Sequence, residues 1–168
     1  MWERSAAPGD APPEVRIRPF NYVDDSGPIL SFLPELYEVN FPGFIVDTEF
    51  VVRKRSQLLE ASHDPGQVVL VAEDSVGVCG FIWLMIEIEY RRRRRGEVSA
   101  IYVHPRVRGL GVGRRLMEKG EEYLRAYGCQ SVMLMVTASN GVAHGLYESL
   151  GYGVTRHQME KRLKKGPR

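Results

Sequence analysis

Cysteine is scarce in this sequence, and long apolar runs are missing from it. Cys79 and Cys129 are too few for a disulfide framework, and neither has metal-ligand spacing with the four histidines. We therefore expect buried free thiols and no metal site. No apolar run approaches the roughly 20 residues that a membrane-spanning helix needs. The N-terminal residues also lack the hydrophobic core of a signal peptide, so we expect a cytoplasmic protein with no membrane partner.

Basic residues are absent from one long stretch and concentrated in another. No lysine or arginine occurs between Arg18 and Arg53, where six acidic residues fall, whereas five consecutive arginines occupy positions 91 to 95. The net charge of +2 is too small to imply a nucleic-acid partner by itself. The acidic first third and the basic middle therefore need separate explanations.

The length and the hydrophobic periodicity predict one mixed domain. With 168 residues, we expect a single domain over 14–165 after a flexible tail over 1–13 that is rich in proline, alanine and glycine. Patterns of period two predict strands over 14–20, 66–74, 77–90, 97–105, 131–136 and 153–163, with the fifth buried. Helical spacing predicts helices over 29–39, 47–61, 111–127 and 140–150, and turns are expected over 74–77 and 91–96. The fold class is therefore α+β, layered α/β/α, with a mixed central sheet of about six to seven strands and about four helices.

The segment "RVRGLGVGRRL" indicates an anion site. It follows a predicted strand and opens a predicted helix, so glycines allow close backbone approach while unpaired N–H groups point at the bound group. Leu116 occupies the third glycine position of a dinucleotide fingerprint, and no Lys-Ser/Thr pair follows for a P-loop. The bound group should be phosphate-like but held in another way.

Two segments together resemble the GNAT superfamily of acyl-CoA-dependent N-acetyltransferases. Its Arg/Gln-x-x-Gly-x-Gly/Ala signature is filled by Arg108, Gly111 and Gly113. A second family pattern is matched by "TASNGVAHGLYESLGY", which includes Asn140 and Tyr147 and is similar to the ribosomal-protein N-terminal acetyltransferases. The resemblance implies a GNAT fold, acetyl-CoA as cosubstrate without a metal, and direct transfer to a primary amine in a ternary complex. It also allows a homodimer.

The resemblance further implies the residues that hold the coenzyme. The backbone amides of 108–113 would hold its pyrophosphate, Arg114 or Arg115 would meet the outer phosphate, and Asn140 would bind the pantetheine or cap the helix. Residues 99–103 would separate from the neighbouring strand, and Val103 would bind the thioester oxygen. The expected coenzyme-binding set is Ile101, Val103, Arg108, Gly109, Leu110, Gly111, Val112, Gly113, Arg114, Asn140 and Tyr147.

The expected catalytic residues are Glu97 and Tyr147. By resemblance, Tyr147 is the general acid for the leaving thiolate. We expect Glu97 to be the general base, because it lies six residues before Val103, and even spacing along a strand places both side chains on one face. An ordinary strand-start glutamate that pairs with the arginines is the alternative. Met135 stands where the ribosomal-protein enzymes usually carry their glutamate base.

The acceptor is expected to be a cationic amine, such as a polyamine, an aminoglycoside-like compound or a peptide amine. It would be attracted by acidic residues of the first third, namely Glu35, Glu38, Asp47 and Glu49. Two other classes stay open: a nucleic-acid or ribosome docking module that uses the arginines at 91–95, and a non-catalytic acyl-CoA sensor. No groove-reading motif accompanies the arginines, which disfavours nucleic acid. They would instead cap a hairpin and meet carboxylates of the substrate, of a second subunit or of the acidic first third.

Overall fold

The computed structural model describes residues 13–89 and 93–161, and their strands form one mixed sheet. The strands are β1 (Arg16–Pro19), β2 (Gln67–Asp74), β3 (Gly77–Ile88), β4 (Arg94–Val103) and β5 (Cys129–Leu134). They lie side by side in chain order; neighbouring strands from β1 to β4 are antiparallel, and β5 runs parallel to β4. The predicted mixed sheet is confirmed, with five strands in the described residues rather than six or seven.

Helices cover both faces of this sheet. They are α1 (Tyr22–Ser31), α2 (Leu33–Asn40), α3 (Thr48–Ala61), α4 (Val112–Ala126) and α5 (Gly141–Ser149), with a short 3-10 turn at Pro105–Val107. One core cluster joins Leu84 and Val98 of the sheet to Leu116 and Leu124 of α4. A second cluster joins Trp83 and other residues of the opposite sheet face to α1, α2 and α3. The layered α/β/α class is therefore confirmed.

The helix predicted over 29–39 is two helices, and the first begins earlier, at Tyr22. Pro34 explains the break, because it has no N–H to donate to the carbonyl of Leu30 and its ring would clash there. It is tolerated within the first turn of α2. Asp47 caps α3 by accepting a hydrogen bond from the Phe50 backbone N–H (2.8 Å).

The strand predicted over 153–163 is wrong for the residues that the structure describes. Residues 153–161 form no strand, and their apolar members Val154 and Met159 are 68% and 93% exposed. The apolar residues of this segment alternate, but they belong to no sheet that would bury them. Strand β5 is half-buried rather than buried, since it lies at the edge of the described sheet.

The turn predicted over 91–96 is shorter, because residues 94–96 belong to β4. Arg94 Nη1 donates to the Tyr127 carbonyl (2.6 Å), and Arg95 lies 2.6 Å from a carboxylate oxygen of Glu87 and 2.5 Å from one of Glu89. The carboxylates that meet Arg95 therefore come from β3 and the residue just after it, not from the acidic first third. Residues 90–92 lie outside the described ranges, as do 1–12 and 162–168.

Within the described residues, no helix is both long enough and apolar enough to cross a membrane. Both cysteines carry free thiols, Cys79 buried and Cys129 half-buried. No group of three or more potential metal ligands occurs in the part of the chain that the structure covers.

Candidate active site

Strands β4 and β5 separate partway along their length. Their pairing runs from Arg94 opposite Cys129 to Val98 opposite Leu134, and the remaining residues of β4 have no partner on β5. A V-shaped opening therefore begins beside Ser99 and widens toward the end of β4. The separation expected for residues 99–103 is present.

The backbone of β4 faces this opening at alternate residues. The His104 N–H donates to Cys79 on β3 (2.8 Å), whereas the Val103 carbonyl accepts from Arg108 Nε (2.9 Å) and so points away from β3. Val103 and Ile101 pair with Gly80 and Ile82 in unbroken register. Ile101 therefore has the same orientation as Val103, and the N–H groups of both residues point into the opening.

The glycine-rich turn lies at the wide end of the opening and begins α4. Gly109 and Gly111 have φ values of +77° and +74°, a region that favours glycine, and Gly111 is the N-terminal cap residue of α4. A Cβ on Gly113 would lie 3.3 Å from Leu146 Cδ2 of α5 and 3.6 Å from Val103 Cγ2. The turn, the end of β4 and α5 thus converge, with Val112 buried and Leu110 exposed.

The Arg108 side chain points toward α2 rather than toward the glycine amides. Its Nη2 lies 2.6 Å from Glu35 Oε1, and the hydroxyl of Tyr102 donates to Glu35 Oε2 at 2.6 Å. These hydrogen bonds lower the pKa of Glu35, while burial and the same carboxylate raise the pKa of Tyr102 to about 12. Glu35 is therefore held by the protein's own groups instead of being free for an acceptor.

The other residues expected around the coenzyme also have protein partners. Arg114 Nη2 donates to Ser149 Oγ on α5 (2.7 Å), and Arg115 Nη2 donates to the Val15 carbonyl on the far side of α4 (2.6 Å). Asn140 Oδ1 accepts from the Ala143 N–H (3.2 Å), so its helix-cap role is confirmed. Asn140 Nδ2 is 3.5 Å from Asn40 Oδ1.

Tyr147 lies in the core cluster on the α4 face of the sheet and is only 8% exposed. Burial raises the pKa of its phenol, so the group stays protonated at neutral pH. Within the described residues its hydroxyl makes no hydrogen bond. His144, one turn earlier on α5, has a buried Nε2 without a described partner.

Glu97 does not share a face with Val103, which corrects the spacing argument. A β-bulge at Ser99 adds one residue to β4, because Val98 pairs with Leu84 while Ala100 pairs with Trp83. Val103 packs in the α4-side cluster, whereas Glu97 pairs with Met85 and points to the face of α1 and α3. The extra residue reverses the parity that even spacing assumed.

The surroundings of Glu97 perturb its ionisation. Burial raises the pKa of Glu97 first, and the nearby Glu87 carboxylate adds to the effect through charge repulsion and a shared hydrogen bond. Glu87 shows the opposite shift. The hydrogen bond from Arg95 is the larger cause that lowers the pKa of Glu87, and the hydrogen bond with Glu97 lowers it further. Two neighbouring carboxyls thus have pKa values shifted in opposite directions, a pattern typical of functional sites.

The four acids predicted to attract an acceptor differ in environment. Glu35 and Asp47 have internal partners, whereas Glu38 and Glu49 are exposed. Sequence reasoning missed a cavity of about 100 Å³ under α1, α2 and α3, which touches Ser99 and Ala100 at the narrow end of the opening. Among the described residues, the one charged side chain that lines it is Lys54. The helical spacing of α3 does not predict that Lys54 lies at this cavity.

Comparison with known proteins agrees with this geometry. The acetyltransferase (GNAT) family model matches residues 31–152, more than half of the chain. A mycothiol acetyltransferase of Saccharopolyspora erythraea is 31% identical over 150 residues, which cover 87% of this chain and 46% of that protein. The chain thus spans less than half the length of this curated relative.

Solved structures share the fold. Glucosamine-6-phosphate N-acetyltransferase from Arabidopsis thaliana superposes with a TM-score of 0.66 at 22% identity, covering 90% of this chain and 99% of that one. A ribosomal-protein-alanine N-acetyltransferase from Brucella melitensis gives 0.69 at 20% identity, covering 89% and 99%. The family model matches most of this chain, β4 and β5 separate to leave an opening, and a glycine turn begins α4. The chain therefore belongs to the acetyltransferase (GNAT) family.

Proposed function

We propose that this protein transfers the acetyl group of acetyl-CoA directly to a primary amine of a small molecule. The observation that carries the proposal is the opening between β4 and β5, which leads to a glycine turn at the N-terminus of a 15-residue helix. Family members use acetyl-CoA as the acyl donor. The name of the matched relative, a mycothiol acetyltransferase, also indicates acetyl transfer to a small molecule.

The groups of this chain fit the parts of coenzyme A. Helix N-terminal amides suit a pyrophosphate, because they are unpaired donors at the positive end of the helix dipole. The N–H groups of Ile101 and Val103, which point into the opening, suit the amides of a pantetheine arm. Asn140 lies at the N-terminus of α5, on the side of the opening that α5 borders, although its Oδ1 already caps that helix.

Tyr147 is proposed as the acid that protonates the leaving thiolate. It reaches the site from the α4 face, where α5 packs on Val103 and Gly113 through Leu146. Its buried phenol keeps its proton at neutral pH and has no described partner to compete for it. Both properties suit a group that donates to the coenzyme sulfur.

Glu97 is proposed as the base that takes a proton from the acceptor amine, directly or through water. It lies on the opposite face from Tyr147, so acid and base would flank the opening. The bulge adds a residue without extending β4, so the distance is counted on β3, where Met85, Ile82 and Gly80 lie opposite Glu97, Ile101 and Val103. At about 3.3 Å per strand residue, Glu97 lies roughly 10 Å from Ile101 and 17 Å from Val103. The reacting carbonyl should therefore lie nearer Ile101 than Val103. A raised pKa brings Glu97 closer to the range useful for a base.

The charge of the acceptor is a finer question than its class. A cationic acceptor attracted by the acidic first third stays a prediction, and it now depends on the exposed Glu38 and Glu49. A docking role for the arginines has less support, since Arg95 is paired with Glu87 and Glu89. Salt-sensitive RNA binding that is lost when residues 91–95 become serine would favour that alternative.

The test is thiol release from acetyl-CoA with a panel of primary amines, alongside calorimetric binding of coenzyme A. We expect Glu97→Gln and Tyr147→Phe to lower kcat at least tenfold while coenzyme A still binds. The matched controls Glu60→Gln and Tyr127→Phe change exposed residues outside the opening and should leave kcat unchanged. Coenzyme A binding without thiol release from any amine would instead indicate a sensor, and absence of binding would overturn the proposal.

A further inference from the structure

The cavity beneath α1, α2 and α3 meets the opening at its narrow end. Nine of the eleven residues that line it are aliphatic or aromatic, and Ser99 and Ala100 of the β4 bulge close one side. A molecule whose amine reaches the opening near Ser99 would therefore have its neighbouring atoms at the mouth of this cavity. What lines the cavity then decides which amines fit.

The cavity is small, and most of the side chains around it are apolar. Its volume of about 100 Å³ is below the roughly 150 Å³ of an engineered apolar cavity that binds benzene. A branched alkyl group is therefore a better match than an aromatic ring. Leu33, Leu36 and Leu58 provide aliphatic walls, and no acidic residue lines the cavity in the described part of the chain.

Lys54 places a positive charge at this apolar wall. Its Nζ lies 5.6 Å, 5.8 Å and 5.9 Å from the ring centroids of Phe50, Tyr37 and Trp83. Within the described residues no carboxylate comes within 4.0 Å of it. Ring faces attract an ammonium group but do not neutralise its charge.

The aromatic surroundings hold Lys54 in place. Trp83 Nε1 donates to Gln67 Oε1 at 2.8 Å, which fixes the indole, and Phe50 packs edge-on against Tyr37 with centroids 4.7 Å apart. A second ammonium group would have to displace Lys54 from these rings and would be repelled by it. An anion would instead gain a charge-assisted hydrogen bond in a partly desolvated place.

We propose that the acceptor carries a carboxylate that Lys54 binds and an alkyl group that fills the cavity, with its amine directed to the opening. This inference rests on the proposed acetyltransferase function and narrows the acceptor to aliphatic amines of the α-amino-acid type. Lys54 is then a specificity-determining residue. Under this proposal Lys54, and not the acidic first third, selects the acceptor.

The test measures binding without requiring turnover. In a Trp2→Phe background, Trp83 is the single tryptophan and lines the cavity, so its fluorescence reports binding. The probes are L-leucine, L-leucinamide and 3-methylbutylamine, which share the alkyl group and the amine, together with the diamine cadaverine. We expect L-leucine to bind about tenfold more tightly than the two alkyl probes without a carboxylate, and cadaverine to bind most weakly.

Variants separate the charge of Lys54 from the charge of its helix. Lys54→Met, which keeps the length but not the charge, should abolish the tenfold preference for L-leucine, and Lys54→Arg should retain it. The matched control Arg55→Met removes a neighbouring exposed charge from α3 and should also retain the preference. Thermal unfolding checks that each variant is folded. If Lys54→Met is not folded, Lys54→Arg keeps the test decisive.

Two results would overturn the proposal. One is equal binding of L-leucine and L-leucinamide by the unsubstituted Lys54 protein. The other is tighter cadaverine binding, further strengthened by Lys54→Met, which would make the three rings an ammonium cage. If L-leucine binds through Lys54 but no amine releases thiol from acetyl-CoA, the carboxylate site stands and the acetyltransferase function fails.

Discussion

Replacing Gly96 by alanine should destabilise the protein through one contact between β4 and α4. A Cβ at this position would lie 2.4 Å from Leu124 Cδ1 and 2.8 Å from Cδ2. Carbon atoms pack at about 3.5–4.0 Å, so the Leu124 side chain, the strand or the helix must shift by roughly 1 Å. Overpacking of this kind costs about 1–3 kcal/mol. The lower entropy of the unfolded alanine variant offsets only about 0.4–1 kcal/mol of that.

The two ranges leave a net loss of about 0–2.6 kcal/mol, and we expect the middle of that range, about 1–2 kcal/mol, in the free energy of unfolding. Such a loss lowers Tm by about 2–8 °C in a chain of this size. Urea and thermal unfolding measure both quantities. Because Glu97 follows Gly96 directly, the displaced strand should also lower kcat for thiol release.

A double-mutant cycle identifies the contact. Leu124→Ala alone should cost about 2–5 kcal/mol, since Leu124 is only 1% exposed. In the double variant the methyl group added at position 96 occupies part of the vacated space, so the combined loss should fall short of the sum of the two single losses by at least about 1 kcal/mol. The control Gly145→Ala, which has no atom within 4 Å of the added Cβ, should not destabilise the protein. Additive losses in the cycle would refute the steric explanation.

Three further perturbations test the network at β1, a helix cap and the glycine turn. Arg18 lowers the pKa of Glu73 from 4.5 to about 2, so the pair stabilises the fold fully above pH 4.5 and its contribution disappears as pH falls toward 2. Glu73→Gln should therefore flatten the dependence of unfolding free energy on pH between 5 and 2, and an unchanged slope would assign the acid sensitivity to other groups. Asp47→Ala removes the cap on α3 and should lower the free energy of unfolding by about 1 kcal/mol, measured in urea. An unchanged free energy of unfolding would show that water replaces Asp47 as the partner of the Phe50 N–H. Gly111→Ala forces a side chain into the left-handed region, at about 1–2 kcal/mol, and calorimetry should show coenzyme A binding weakened at least fivefold; unaltered affinity would separate this residue from the coenzyme site.

Local patterns were sufficient to predict most elements and the glycine turn that begins α4. The caps Asp47 and Asn140, the glycines that begin and follow α4, and the hairpin between Asp74 and Gly77 all depend on short-range chemistry that the sequence contains directly. The failed strand over 153–163 had the right alternation but nothing to pack against. Periodicity describes how a segment would be buried, and tertiary contacts decide whether it is.

The candidate site was less predictable because its details depend on long-range register. Nothing in the sequence around Ser99 announces a bulge, yet the bulge decides which face Glu97 occupies. The engagement of Glu35 by Arg108 joins residues 73 positions apart, and the position of Lys54 above Trp83 depends on how α3 crosses β3. Charge patterning alone grouped Glu35 with free surface acids and overlooked Lys54.

The bulge at Ser99 also has a consequence for how this strand can change in evolution or by engineering. If β4 kept all its residues but formed no bulge, its preceding part would pair one residue out of register and turn over, so the carboxylate of Glu97 would face Leu124 and the small Gly96 would face the acceptor side. Neither position tolerates that exchange, since the first is buried hydrocarbon and the second would lose its proposed base. A graft or substitution that removes the bulge without removing a residue would therefore exchange the two faces, and a related sequence that lacks the extra residue must be aligned with a gap here to keep its residues on the correct side of the sheet.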